Sequence, residues 1–132
     1  MISMRIDHIA LYCTDLEGMK AFFCYYFKSE PNDLYHNPRT GLSTYFLSFP
    51  EGGTRLELMT RAEVMQEDGV SPYRHGFIHV SFNLGSKEAV DELTAKLQAD
   101  GFQVCSGPRV TGDGYYESAV LGPENILIEL TK

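Results

Sequence analysis

The sequence contains an internal repeat, which limits the folds open to it. His8-Ile9-Ala10-Leu11 and His79-Val80-Ser81-Phe82 are alternating runs of the kind that form strands, and their histidines are 71 residues apart (79 − 8). An amphipathic segment follows each run, at about residues 15–28 and 86–99. Because a repeated unit of this kind is one supersecondary element, the 132 residues are predicted to form one domain from two related modules.

Helix-start and helix-stop residues support the two amphipathic segments as helices. Thr14 and Glu17 have the spacing of a capping box, which predicts that Thr14 caps the first helix. Ser86 is placed to cap the second helix by accepting from its free N–H groups, and Gly101 follows its last turn. Both helices are therefore expected to begin directly after the first strand of each module.

Strands are predicted after each helix. In the first half they cover residues 44–49 and 54–59 around a Pro-Gly turn, and in the second half 115–121 and 126–130 around the turn at 122–125. The fold class is therefore α+β. The modules are predicted to span residues 1–62 and 74–132, joined by a polar connector over residues 63–73.

Composition excludes several classes of protein. The formal net charge is −7 and no stretch gathers Lys and Arg, so nucleic acid is not an expected partner. No apolar run approaches the roughly 18 residues that cross a bilayer, and the start of the chain does not resemble a signal peptide. Three cysteines (Cys13, Cys24 and Cys105) without CxxC spacing argue against a disulfide framework and a zinc knuckle. A cytoplasmic protein is expected.

Four polar residues occupy equivalent positions in the repeat. His8 and Glu57 are 49 residues apart (57 − 8), and His79 and Glu129 are 50 apart (129 − 79). A lone His in a strand is more often a hydrogen-bonded core residue, and a lone Glu is usually on the solvent face. The repetition favours a shared role. Each Glu lies between apolar neighbours, so strand alternation points it away from one apolar layer.

This set of side chains suits a metal ion. Burying two carboxylates close together costs several kcal/mol unless a cation compensates them. Two imidazoles and two carboxylates suit a divalent transition metal, and the two glutamate charges neutralise it. An octahedral ion would keep two positions for water or substrate oxygens. The sequence therefore predicts one divalent ion, with nickel, zinc, cobalt, manganese and iron all left open.

The chain resembles the vicinal oxygen chelate superfamily, which has the glyoxalase, bleomycin-resistance and extradiol dioxygenase fold. The motifs that carry the resemblance are Asp7-His8-Ile9-Ala10, Gly76-Phe77-Ile78-His79-Val80, Gly112-Asp113-Gly114-Tyr115-Tyr116-Glu117 and Ile126-Leu127-Ile128-Glu129-Leu130. The turn Gly122-Pro123-Glu124-Asn125 keeps the family's length but not its usual side chains. The resemblance implies two βαβββ modules forming a cup-shaped mixed sheet, the four residues coordinating one metal, and a homodimer.

The ligand set is similar to that of glyoxalase I, because Glu stands at position 57. This similarity implies a lyase or isomerase that converts the hemithioacetal of a 2-oxoaldehyde and a thiol through a metal-stabilised enediolate. Glu129 is then the expected base, with Glu57 as its partner. Arg109, Tyr115 and Tyr116 are expected to contact this small-molecule substrate. Alternatives are another metalloenzyme of the superfamily, such as a dioxygenase or an epimerase, and a non-catalytic drug-binding resistance protein.

Overall fold

The structure is a computed structural model that describes residues 2–65, 73 and 75–132. The chain divides into two compact units, Met1–Asp68 and Gly69–Lys132. The connector expected at residues 63–73 lies mostly outside the described residues. In the described part of the chain, no helix is long and apolar enough to cross a bilayer.

The first unit is a mixed sheet with one helix. Its elements are β1 (His8–Tyr12), α1 (Leu16–Phe27), β2 (Glu30–Pro31), β3 (Tyr35–His36), β4 (Ser43–Ser48) and β5 (Arg55–Thr60). The strand order is β1-β5-β4-β2, and β3 also pairs with β4. β1 runs parallel to β5, whereas the other pairs are antiparallel. A helix that links two parallel strands is the ordinary way to cross over a sheet.

The second unit repeats this topology. Its elements are β6 (Val80–Asn83), α2 (Lys87–Ala99), β7 (Gln103–Val110), β8 (Tyr116–Leu121), a 3₁₀ turn (Pro123–Asn125) and β9 (Leu127–Thr131). The strand order is β6-β9-β8-β7, with β6 parallel to β9. In both units the first and last strands are parallel neighbours, so the predicted repeat and the α+β class are confirmed.

The helix caps agree with the sequence in one unit and differ in the other. The Ser86 hydroxyl accepts from the Ala89 N–H at 3.1 Å, as predicted for α2. The prediction that Thr14 caps α1 is wrong, because Asp15 is the capping residue and its carboxylate accepts from the Gly18 N–H at 2.9 Å. Helix α1 begins at Leu16, so the residue directly before it is the one whose side chain reaches the free N–H of the third helical position.

Each helix packs on one face of its own sheet, and that contact is the core of the unit. In the first unit α1 contacts β4 and β5, and the side chains that are at most 1% exposed include Met19, Phe23, Leu47 and Leu58. In the second unit α2 contacts β7, β8 and β9, and Val90, Leu97, Val120, Ile128 and Leu130 are fully buried. Because strand side chains alternate, the residues between these point to the other face of the sheet.

Candidate metal centre

The first unit brings His8 and Glu57 together on the face of the sheet that is turned away from α1. In the parallel pairing of β1 with β5, Ala10 lies opposite Glu57, so His8, Ala10 and Glu57 share one face. His8 Nε2 lies 3.7 Å from Glu57 Oε1, and the Glu57 side chain is 14% exposed. Leu56 and Leu58 are buried on the other face, as the alternation in the sequence predicted.

The second unit repeats this arrangement with His79 and Glu129. His79 lies directly before β6, and Ser81 is opposite Glu129 in the parallel pairing. His79 Nε2 is 3.2 Å from Glu129 Oε1, and the Glu129 side chain is 21% exposed. Ile128 and Leu130 face the helix and are fully buried. Both glutamates are therefore partly shielded from solvent and directed at the histidine of their own module.

The two pairs carry the kinds of donor that hold a transition metal. Imidazole nitrogen and carboxylate oxygen bind zinc, nickel, cobalt, manganese and iron. Among the residues that the structure describes, no three or more His, Cys, Asp and Glu side chains form a group that could hold a metal ion. Each module, taken by itself, holds one His–Glu pair of suitable chemistry.

His8 also has contacts on its Nδ1 side, with Asp7 and, through Asp7, with Arg55. The sequence analysis gave these two residues no role. Asp7 Oδ2 lies 2.8 Å from His8 Nδ1, on the side of the ring opposite Glu57. Arg55 Nη2 donates to the same Asp7 oxygen at 3.0 Å. The hydrogen bonds from His8 and Arg55 lower the pKa of Asp7 to about 2. The sequence could have indicated that Arg55 lies near this site, because Arg55 is two residues before Glu57 in a predicted strand and therefore shares its face.

Of the three expected substrate residues, only one lies by strand register on the face that carries Glu129. Arg109 of β7 is opposite Glu117 of β8, and two residues further along β8, Ala119 is opposite Glu129 of β9. Arg109 is exposed on that face. Tyr115 is 53% exposed in the loop before β8, where its N–H donates to the Thr111 hydroxyl at 3.0 Å.

Tyr116 lies on the other face of the sheet. Its hydroxyl donates to the Asp91 carboxylate of α2, and the ammonium group of Lys87 lies 5.5 Å from the centre of its ring. The Asp91 carboxylate raises the pKa of Tyr116, because it stabilises the protonated phenol. Since Ser118 and Val120 on the same face are buried, Tyr116 belongs to the contact between β8 and α2.

Three comparisons with known proteins place the chain. Residues 5–130 match the family model described as the Glyoxalase/Bleomycin resistance protein/Dioxygenase superfamily. An uncharacterized protein of Bacillus subtilis (strain 168), YqjT, is 30% identical over 128 residues, which are 95% of this chain and 96% of that protein.

Two solved structures share the fold. A glyoxalase family protein from Bacillus cereus superposes with a TM-score of 0.80 at 17% identity, covering 99% of this chain and 95% of that one. The fosfomycin resistance protein FosX from Listeria monocytogenes, in complex with Mn(II) and sulfate, gives a TM-score of 0.70 at 21% identity, covering 99% and 93%.

Proposed function

Because the chain belongs to the Glyoxalase/Bleomycin resistance protein/Dioxygenase superfamily, we propose that it is a divalent-metal-dependent isomerase of the glyoxalase I type. Its substrate is the hemithioacetal of a 2-oxoaldehyde and a thiol. The observation that carries this proposal is the repeated His–Glu pair, with Nε2–Oε1 distances of 3.7 Å in the first module and 3.2 Å in the second.

The proposed metal ligands are His8, Glu57, His79 and Glu129. Two imidazoles and two carboxylates would hold one divalent ion and match its charge. When bound, such an ion supplies Lewis-acid chemistry, stabilising the negative charge that develops on the substrate oxygens as a carbon-bound proton leaves.

The proton itself is moved by this chain's carboxylates. Glu129 takes the proton from one carbon and returns it to the neighbouring carbon, with Glu57 as its partner. The Glu129 side chain is 21% exposed, so it is shielded from bulk water and still within reach of a small molecule.

Arg109 is proposed to bind a carboxylate of the substrate, since it lies on the same face as Glu129. Tyr115 is at the start of the same strand pair and is accessible. Tyr116 is left out of the proposed substrate contacts because its hydroxyl is on the helix side of the sheet, bonded to Asp91.

A cytoplasmic homodimer is part of the same proposal. β1 and β6 each end the strand order of their sheet, and an edge strand exposes unpaired backbone groups. Several large apolar residues before and within β1 are exposed, namely Ile2, Met4, Ile6 and Ile9. A mass corresponding to one chain, measured at micromolar concentration with metal bound, would contradict this part of the proposal.

The test of the function is metal analysis of the purified protein followed by an assay with methylglyoxal and glutathione. Bound nickel, cobalt, zinc or manganese together with isomerase turnover is the expected result. Iron with consumption of dioxygen would instead indicate an oxygenase, and a metal-bound protein that racemises a substrate would indicate an epimerase. A metal-free protein that binds a drug tightly without turnover would replace the proposal with a sequestration role.

A further inference from the structure

The two modules differ in the residue that directly precedes the histidine. In the first module, Asp7 Oδ2 is 2.8 Å from His8 Nδ1, while His8 Nε2 faces Glu57 at 3.7 Å. The repeat places Ile78 at the position equivalent to Asp7, and its hydrocarbon side chain accepts no hydrogen bond. Only His8 therefore has a carboxylate from the residue that precedes it.

Asp7 is itself held by several contacts. Arg55 Nη2 donates to Asp7 Oδ2 at 3.0 Å and Arg5 Nη2 donates to Oδ1 at 3.3 Å. The Arg55 backbone N–H also donates to the Asp7 carbonyl at 3.1 Å. These bonds tie the segment before β1 to the start of β5 and fix where the Asp7 carboxylate lies.

The ring of His8 is held from another side by Phe46. The two rings meet edge to face with centroids 5.0 Å apart. The guanidinium carbon of Arg55 lies 4.3 Å from the centre of the Phe46 ring. Arg55 thus contacts two of the groups that surround the His8 ring, the Asp7 carboxylate and the Phe46 ring.

We propose that Asp7 is a positioning residue that fixes the tautomer and orientation of His8, with Arg55 as the residue that holds Asp7 in place. An ionised carboxylate only accepts hydrogen bonds, so the neutral ring must carry its proton on Nδ1. The Nε2 lone pair is then directed towards Glu57, which is the orientation a metal ligand needs. The ring of His8 is therefore oriented towards Glu57 before any metal binds.

This inference rests on the proposed function only where it concerns metal binding. The tautomer of His8 can be measured in the metal-free protein. The first measurement is therefore the ¹⁵N chemical shifts of the His8 ring in the metal-free protein at alkaline pH, where the neutral ring is observed. We compare wild type, Asp7→Asn, Asp7→Ala and the control Asp33→Asn, which removes one charge from an exposed aspartate of the same unit.

The expected result is an Nδ1–H ring in wild type and in Asp33→Asn. Asp7→Asn should keep most of this form, because an amide oxygen still accepts the bond. Asp7→Ala should lose it in favour of Nε2–H. An unchanged His8 tautomer in Asp7→Ala, with a folded protein by circular dichroism, would overturn the positioning role. Folding is expected because the Asp7 side chain is 51% exposed.

The second measurement is the affinity for Zn²⁺ or Co²⁺ by direct titration, without an activity assay. Loss of a partner behind a ligating histidine typically weakens metal binding about 10–100-fold, which we expect for Asp7→Ala, with a smaller loss for Asp7→Asn. Unchanged affinity in Asp7→Ala would overturn the inference while leaving the proposed function intact. A wild-type protein that binds neither ion would overturn the proposed function, and the ring spectra would then decide the role of Asp7 alone.

Discussion

The substitution Glu129→Gln distinguishes two roles of Glu129, that of a base and that of a metal ligand. It keeps the shape of the side chain and one oxygen atom but removes the basic carboxylate. In the structure this side chain is 21% exposed, and its Oε1 lies 3.2 Å from His79 Nε2. The glutamine amide fits the same space beside Ile128 and Leu130, whose side chains face the other side of β9. The substitution therefore removes basicity and one negative charge while disturbing the packing very little.

The expected magnitude follows from what the carboxylate does. A positioned general base typically accelerates a reaction about 10²–10⁴-fold. Turnover of the variant should therefore fall by at least about 10²-fold, which corresponds to an activation free energy higher by about 2.7 kcal/mol. Metal content should fall less than turnover, because His8, Glu57 and His79 keep their donor atoms. Water does not replace the base readily, since the position is mostly shielded.

The assay measures isomerase turnover per bound metal, with metal content determined on the same samples. Glu57→Gln is the matched comparison, and its turnover per bound metal should fall less than that of Glu129→Gln. Glu51→Gln makes the same chemical change in an exposed turn and should behave as wild type. Wild-type turnover per bound metal in Glu129→Gln would show that Glu129 is not the base.

Three further predictions concern the packing that places these residues. Leu58→Ala should lower the free energy of unfolding by about 2–5 kcal/mol in urea titrations, because Leu58 is fully buried beside Glu57; a loss below 1 kcal/mol would contradict this core assignment. Ser118→Ala should cost about 1 kcal/mol in the same titrations, since its hydroxyl bonds the buried Thr94 hydroxyl at 2.7 Å, and no loss would contradict the contact. Asp91→Asn should lower the pKa of Tyr116, measured by NMR of the tyrosine ring, and an unchanged pKa would argue against Tyr116 facing α2.

Much of the candidate site could be read from the sequence because it depends on local periodicity. A strand alternates its side chains, so the apolar neighbours of Glu57 and Glu129 already indicated which way each glutamate points. The repeat supplied the two histidines, and the helix cap at Ser86 followed from a short-range signal. These features involve residues close together in the chain or related by one constant offset.

The two-module α+β fold and the choice of the four candidate ligands could therefore be inferred without the structure. The contact of Tyr116 with α2 could not be inferred in this way, because it depends on the pairing of β8 with its neighbours and on where the helix lies. The arrangement of Asp7, Arg55 and Phe46 around His8 is likewise visible only in the folded chain. Arg55 is distant from His8 in the chain, and the parallel pairing of β1 with β5 sets them side by side, since hydrogen bonds between strands fix a register that side-chain periodicity leaves open.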